Sequence, residues 1–434
     1  MSFVSPLIIL TLVALQPTQP AAELPPDPAS IDTLIAQLAD DDWQQRQRAQ
    51  DRLVMLGVEA STLLERAAGE SPDPEVRERA AAALALIEQN AETGPSIITI
   101  KVDDLLVGDV FKQLSEQCGV PLESYPPDLL DQQRGAKVSL DIDHLPFWDA
   151  MRQITEKTGF TLQQWDNTGV KLMQGGQHSE GVSQVSGAYL ISAIRVSRSR
   201  FVELGGGQGA YEDFQVLLGA RAEPKLRLLR VAYAPNLEEA TDDRGNSLLP
   251  EPSANAAAVG GYAIAPGGAW QLPARLSAPA NMGRRIARLR GSFDVSIQTR
   301  AEQLDVPDIV SARGVNKVAG GVRFVIKELR RNGDGWTLDM LARLDGARPD
   351  EWERIQQTLA TADIRLLDER GEAFQRTGSS SSGGPEQVEM SIEFSPRAAG
   401  QDRKLGEPSK LVWTVPTETR DLSVPFDFKD LPIP

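Results

Sequence analysis

F-D-V-S-I-Q, residues 293–298, shows the pattern that decides the fold of the larger part of this chain. Apolar Phe293, Val295 and Ile297 alternate with polar residues, which is the two-residue period of a strand with one buried face. V-E-M-S-I-E-F, at 388–394, repeats this alternation. Other predicted strands lie at 226–233, 322–329 and 336–344. With Gly and Pro turns between them, these strands predict antiparallel β-sandwiches.

The same half of the chain repeats some of its residues. Four residues recur 118 positions later, so that Thr299, Leu304, Val306 and Pro307 match Thr417, Leu422, Val424 and Pro425. Three recur 126 positions later, so that Asp242, Arg244 and Gly245 match Asp368, Arg370 and Gly371. A single change in loop length explains the two offsets. The sequence therefore predicts two related sandwich domains, 188–315 and 316–434, with G-S-S-S-S-G-G at 378–384 as a flexible loop.

Residues 94–174 predict a mixed α+β module upstream of the sandwiches. Two amphipathic helices are expected at 107–118 and 147–158, each following a β-branched strand and each ended by a glycine. The strands are expected at 97–102, 137–142, 160–165 and 170–173. The resulting order is β-α-β-α-β-β. The segment 175–187, rich in Gly, Ser and Gln, predicts a linker to the first sandwich.

This order resembles the short N-terminal module of secretins and TonB-dependent receptors, called STN or N0. The first half of the resemblance is carried by Ile98, Ile100, Val102, Leu106, Asp109, Val110, Phe111, Leu114, Gly119 and Val120. The second half is carried by Val138, Leu140, Ile142, Phe147, Ala150, Ile154, Gly159, Phe160, Leu162 and Leu172. The resemblance implies an interaction module that docks other envelope proteins through exposed strands or helices.

Residues 31–93 predict four short helices from apolar residues at helical spacing. An Asp, Arg, Ala, Leu order occurs twice, first in Asp41, Arg46, Ala49 and Leu53, then in Asp73, Arg77, Ala80 and Leu84. This segment resembles HEAT-type helical repeats, which implies a protein-binding scaffold. Because two units are fewer than such arrays usually need, we expect the segment to depend on its neighbour for stability.

The N-terminal 30 residues predict export. The nine-residue run Leu7–Leu15, apolar except for Thr11, is too short to cross a bilayer but is typical of a signal-peptide core. It gives a predicted signal at 1–22 and a Pro-rich linker at 23–30. No Lys or Arg precedes the apolar run, and Pro20 lies beside the Ala21-Ala22 cleavage candidate. An uncleaved anchor and a buried N-terminal helix therefore stay open as alternatives. The expected location is the periplasm or the cell envelope, with secretion as an alternative, and the body of the chain is expected to be soluble after export.

The composition limits the ligands and the reactions that can be expected of this chain. The formal net charge of −16 disfavours nucleic-acid binding. Residues 31–93 carry 13 acids and six Arg, so the acidity lies towards the N-terminus. One cysteine, Cys118, excludes an internal disulfide and is expected in the core. Of the two histidines, His178 lies in the predicted linker, and His144 follows Asp141 and Asp143, two hard ligands for a cation that are better explained as a solvated sheet edge.

The sequence predicts no catalytic, cofactor-binding or metal-binding residues, because no standard catalytic motif is present. We therefore expect an exported, non-catalytic interaction or structural protein of the cell envelope, bound to an envelope or extracellular protein. One alternative is a glycan-binding protein or a carboxylate-dependent glycan hydrolase with a cleft lined by Trp270, Trp336, Trp352 or Trp413. Another is an accessory component of a secretion or uptake assembly. A further hypothesis pairs the acidic N-terminal part with Arg284, Arg285, Arg288 and Arg290.

Overall fold

The computed structural model describes residues 28–132, 135–166, 169–175, 181–202, 210–250, 261–263, 269–344, 363–384, 387–398 and 403–434. The predicted signal at 1–22 lies outside these residues. Most of the described chain is strand in several antiparallel sheets, with a small helical region at the N-terminal end. The chain divides into two compact units, Met1–Ile87 and Glu88–Pro434. None of the described helices is both long enough and apolar enough to cross a membrane.

The first unit consists of helices. They are α1 Pro28–Gln37, α2 Trp43–Leu56, α3 Val58–Glu70 and the greater part of α4 Pro74–Thr93. The predicted linker at 23–30 ends too late, because α1 begins at Pro28. The fixed φ of proline suits the first helical turn, so this proline starts a helix rather than extending a spacer.

The same side-chain contacts occur at the starts of α2 and α4. The Asp42 carboxylate accepts the Gln44 backbone N–H (2.9 Å), and Arg46 Nη1 donates to the Asp40 carbonyl (2.6 Å). At α4, Asp73 accepts the Glu75 backbone N–H (2.8 Å), and Arg77 Nη1 donates to the Ser71 carbonyl (2.7 Å). In each case an aspartate caps the helix and an arginine one turn later holds the preceding loop.

The second unit begins with the end of α4 and the mixed module. Its elements are β1 Ile97–Leu106, α5 Val107–Cys118, α6 Leu129–Gln132, β2 Lys137–Pro146, α7 Phe147–Thr158, β3 Phe160–Asp166 and β4 Gly169–Gln174. The predicted order and both long helices are confirmed, with the short α6 added. β1 pairs with β2 and β3 with β4, both antiparallel. Gly119 (φ 70°) and Gly159 (φ 72°) end α5 and α7 in the left-handed conformation that favours glycine.

The sandwich region follows as strands. They are β5 Val182–Ser186, β6 Tyr189–Val202, β7 Ala210–Ala222, β8 Leu228–Ala232, β9 Asn236–Asp242, β10 Gly261–Ala263, β11 Ala269–Leu276, β12 Arg285–Pro307, β13 Val315–Ala319, β14 Val322–Asn332, β15 Gly335–Leu344, β16 Asp363–Asp368, β17 Phe374–Gly383, β18 Gln387–Ala398 and β19 Pro408–Pro432. One sheet has the order β11-β7-β6-β5 and another β13-β14-β15-β18-β17. A third, β10-β8-β12-β19-β16 with β9 on β12, joins them.

Two predicted segments adopt a different structure. Residues 182–186 belong to the predicted linker 175–187 but form β5, whose register on β6 runs from Val182↔Ala193 to Ser186↔Tyr189. The G-S-S-S-S-G-G segment predicted as a flexible loop mostly forms β17, paired with β18. In both cases pairing with a neighbouring strand outweighs a composition that by itself favours disorder.

The two sandwich cores share their longest strands. β12 and β19 pair along almost their whole length, from Arg285↔Pro432 to Pro307↔Lys410. The N-terminal half of β12 and the C-terminal half of β19 complete the core that contains Phe214 and Trp270. The other halves complete the core that contains Phe324. The predicted boundary at 315 is therefore wrong as a division between independent sandwiches, because each core draws on both segments.

Candidate functional site

The mixed module packs directly on the sheet β11-β7-β6-β5. Leu190 of β6 lies in the module's hydrophobic core, and Val185 of β5 packs against it. Trp148 Nε1, on α7, donates to the Ala188 carbonyl (3.2 Å), and Arg221 Nη1, on β7, donates to the Leu162 carbonyl (3.2 Å). These contacts fix the module and the first sandwich against each other, so the surface between them keeps a defined shape.

A buried carboxylate lies within this junction. Glu223 follows β7, is 0% exposed, and accepts the Ser96 backbone N–H at Oε2 (2.8 Å). Its Oε1 has no hydrogen-bond partner in the part of the chain that the structure describes. Burial raises the pKa of Glu223 above the usual 4.5, and the contributions from Lys225 and Ser96 offset only part of that rise.

We expect Glu223→Gln to stabilise the protein at neutral pH. The folded-state pKa of Glu223 lies above the unfolded value of 4.5. The contribution of the protonated Glu223 to stability is therefore fully present below about pH 4.5 and is lost as the pH rises through the folded-state pKa. An amide avoids this loss, because its oxygen still accepts from Ser96. The gain in free energy of unfolding, about 1–3 kcal/mol at pH 8, should vanish near pH 4. Urea unfolding across this range checks it, with exposed Glu302→Gln as the control, and an equal gain at both pH values would contradict it.

A cleft of about 230 Å³ opens on the surface of this junction, between α7, β3 and the start of β5. Apolar side chains contribute to its lining, among them Trp148, Met151, Leu162 and Leu190, each less than 9% exposed. Its polar lining consists of Arg152, Thr155, Glu156, Thr161, Ser183 and Arg221. We call this the junction cleft. Its volume suits one large side chain rather than a whole drug-sized molecule.

A second depression of about 220 Å³ adjoins the junction cleft, because both are lined by Leu190 and Arg221. It extends across β6, β7 and β11 past Gly219 and Ile194, and Ile194 is 44% exposed. A Cβ at position 219 would lie 2.5 Å from Ile194 Cδ1, so the glycine leaves room for the Ile194 side chain. The two depressions therefore lie side by side, and their combined lining extends from α7 across β6 and β7 to β11.

The charges beside the junction cleft are mixed. Arg152 lies 3.6 Å from Asp149 on the same helix, and burial raises the pKa of Asp149 while Arg152 partly opposes that rise. Glu156 is the one acidic residue among the described residues that line the two depressions. A pair of facing carboxylates, which glycoside hydrolysis requires, is therefore not formed by those residues.

The tryptophans proposed to line a glycan cleft lie mainly in the cores. Trp270, 3% exposed, packs edge-on against Tyr189 and Phe293, although it also borders the second depression. Trp336 and Trp413 lie in the other core, and Trp352 is outside the described residues. Trp270, Trp336 and Trp413 thus serve mainly as core residues, and this observation does not favour the glycan alternative.

Among the remaining candidate side chains from the sequence, Asp143 and His144 contact each other, Cys118 is buried, and Asp141 is exposed. Asp143 accepts from Lys101 Nζ (3.0 Å) and lies 3.0 Å from His144 Nδ1, and these contacts lower its pKa. Cys118 is 4% exposed, and burial raises the pKa of its thiol. Within the described ranges, no three His, Cys, Asp or Glu side chains are arranged to hold a metal ion. His178 lies outside those ranges.

Of the four arginines proposed to pair with the acidic N-terminal part, the three that lie on β12 have acidic partners within their own sheet. Arg288 contacts Asp427 through two hydrogen bonds, Nε to Oδ1 (3.0 Å) and Nη2 to Oδ2 (2.9 Å). Arg290 lies 3.6 Å from Glu239, and Arg285 contacts Asp430. The hypothesis that this cluster serves the acidic N-terminal part therefore loses support, since these guanidinium groups are already neutralised locally.

Sequence reasoning did not find the junction cleft. Its residues come from α7, β3, β5, β6 and β7, and no sequence spacing relates these elements. One signal was present: A-Y-L-I, at 188–191, is apolar at consecutive positions, which indicates a strand covered on both faces. That pattern could have shown that something packs on the outer face of β6.

Comparisons with known proteins give no relative. No protein family, no curated protein and no solved structure matches this chain.

Proposed function

We propose that this protein is an exported, non-catalytic interaction protein of the cell envelope, and that the junction cleft receives an apolar side chain of a partner protein. The observation that carries the proposal is the cleft itself, where Met151, Leu162 and Leu190 lie beneath a charged and hydroxylated rim. An apolar anchor surrounded by polar contacts is how protein interfaces obtain most of their binding energy. The export component rests on the apolar run at 7–15, outside the described residues.

The partner is proposed to be an envelope or extracellular protein that presents an extended segment. Ser183 and Gly181, at the start of β5, belong to the cleft lining, so a segment leaving the cleft towards β5 would run beside an edge strand of the sheet. Hydrogen bonds to a strand edge, with one side chain held in a pocket, are a recurrent mode of peptide recognition. The resemblance to STN modules supports the same kind of role.

The helical unit is proposed to be a pair of HEAT-like repeats. Support comes from the matching contacts of Arg46 and Arg77 with the carbonyls that precede their helices. The capping aspartate of the first unit is Asp42 rather than Asp41, so the aspartate precedes the arginine by the same number of residues in both units.

The two sandwiches are proposed to derive from one duplicated unit. The order β11-β7-β6-β5 corresponds to β18-β15-β14-β13, and β9 and β16 each end in the same turn. In these turns Asp242 accepts the backbone N–H of Arg244 and of Asn246, and Asp368 accepts those of Arg370 and Glu372. The correspondence of strand order and turn chemistry supports a common origin.

Blocking the cleft should weaken partner binding. Thr155→Trp, on the half-buried rim, is expected to fill the cleft and reduce affinity at least about tenfold, which corresponds to 1.4 kcal/mol. The partner is first captured in source cells by a photoreactive residue at 155, and affinity is then measured on purified components. Gln153→Trp, on the exposed face of the same helix, is the matched control.

The proposal fails under two outcomes. One is that position 155 captures no protein that position 153 does not also capture. The other is that Thr155→Trp binds the captured partner as tightly as the wild-type chain, with both tryptophan variants showing wild-type thermal unfolding.

A further inference from the structure

The outermost strand of the second sandwich has an open edge. β17 pairs with β18 from Phe374↔Ala398 to Gly383↔Val388, and no described strand pairs with its other side. Residues 379–383 are all exposed, whichever face of the strand they lie on. A ten-residue strand therefore presents a row of backbone N–H and C=O groups to its surroundings.

The other edge strands in the sandwich sheets are too short to pair along ten residues, or they carry a proline or charged side chains. β5, β10 and β13 are only three to five residues long, and β13 also carries Lys317. β11 contains Pro273, and β16 contains Asp363 and Arg365. Short length, proline and charge are the means by which proteins keep sheet edges from associating. By contrast, β17 is ten residues long and contains no proline, and its only charged residue is Arg376, near its start.

The composition of β17 favours pairing with itself. In an antiparallel pair of two copies centred between Ser380 and Ser381, Ser379 lies opposite Ser382 and Gly378 lies opposite Gly383. No like charges face each other, because the two Arg376 side chains are far from the centre. Small hydroxyl side chains placed opposite each other fit and can form hydrogen bonds. A foreign strand, by contrast, would find no side-chain pockets on Ser and Gly to select its sequence.

We propose that β17 pairs antiparallel with β17 of a second copy of this chain, forming a symmetric dimer through one continuous sheet. This proposal is independent of the junction cleft, which lies between the mixed module and the first sandwich. The contact is small and polar, so the dimer is expected to be weak, with a dissociation constant of about 10–100 μM. Its dependence on one strand edge makes it easy to abolish without disturbing either core.

Sedimentation velocity of the full chain tests the dimer, over roughly 1–200 μM to bracket that constant. The wild-type chain should shift from monomer to dimer with concentration. Ser380→Lys combined with Ser381→Lys places lysines opposite each other in the dimer and should keep the chain monomeric throughout. Asn316→Lys adds charge at the opposite edge of the same sheet, on β13, and should dimerise like the wild type.

Three results would overturn the proposal. The wild-type chain could stay monomeric at 200 μM, or the double lysine variant could dimerise as the wild type does. A monomeric wild-type chain that uses β17 to bind a different protein would also reject a second copy as the occupant. Circular dichroism of each variant verifies that the exposed substitutions leave the fold intact.

Discussion

Phe428→Ala is expected to loosen the first sandwich, although this residue lies near the end of the chain. Phe428 is 2% exposed and belongs to the core formed by β6, β7, β11 and the N-terminal half of β12. Removing a buried phenyl ring leaves a cavity and lowers the free energy of unfolding by about 3–5 kcal/mol. Hydrogen exchange measured by mass spectrometry should show lost protection in peptides from 189–193 and 270–276.

A second substitution on the same strand provides the comparison. Trp413, 1% exposed, contacts Phe324 with a centroid distance of 4.3 Å and lies in the other core. Trp413→Ala should cost about as much as Phe428→Ala but remove protection from 322–329 and 338–342 first. If both variants lost protection in the same peptides, β19 would not divide its two halves between the cores in solution.

Asp242→Ala is expected to have the second large effect. Asp242 is 2% exposed, and its carboxylate accepts the backbone N–H groups of Arg244 (2.9 Å), Asn246 (2.8 Å) and Gly283 (2.6 Å) as well as Asn246 Nδ2 (2.8 Å). Alanine leaves these donors without their shared acceptor. We expect the free energy of unfolding to fall by about 3 kcal/mol, because hydrogen bonds to a charged acceptor contribute more to stability than hydrogen bonds between neutral groups.

The pH dependence of this site has a definite sign. Burial alone would raise the pKa of Asp242, but the hydrogen bonds from Asn246, Gly283 and Arg244 outweigh it and lower the pKa from 3.8 to about 2. Asp242 therefore stabilises the fold above about pH 3.8, and this contribution is lost as the pH falls through about 2. The stability difference between wild type and Asp242→Asn should shrink over that range.

Urea unfolding between pH 2 and 7 measures this difference. Asp294→Asn, on the exposed side of β12, is the control and should change stability by less than about 0.5 kcal/mol. A difference between wild type and Asp242→Asn that stayed constant down to pH 2 would show that the carboxylate charge does not stabilise the turn.

Local pattern predicted the mixed module well and the sandwich arrangement only in part. The helices at 107–118 and 147–158 were predicted at their observed bounds, because amphipathic period and a terminal glycine are both local signals. The partition of β12 and β19 between two cores was not predicted. Alternation identifies which face of a strand is buried, but it says nothing about which core covers that face.

The candidate site depended even more on tertiary structure. The contact of Trp148 with the Ala188 carbonyl and that of Glu223 with Ser96 join residues 40 and 127 positions apart. The composition of residues 175–187, rich in Gly, Ser and Gln, predicted a flexible connection and so gave no indication that the module packs on the first sandwich. Because Val182–Ser186 pairs with β6, the end of this segment belongs to the sheet of the first sandwich. The mixed module packs on that sheet, and the cleft lies between the two.

The pairing of β12 with β19 also has a mechanical consequence. β12, with 23 residues, lies against β19, with 25 residues. At about 3.4 Å per residue, the paired strands extend over roughly 75 Å. Both cores are built on this pair of strands, and the register of the pair shifts between Gln298 and Ala301, where one core ends and the other begins. Bending elsewhere along the pair would require breaking backbone hydrogen bonds between the two strands. A force applied to one sandwich is therefore carried to the other through two paired strands, not through a single connecting chain.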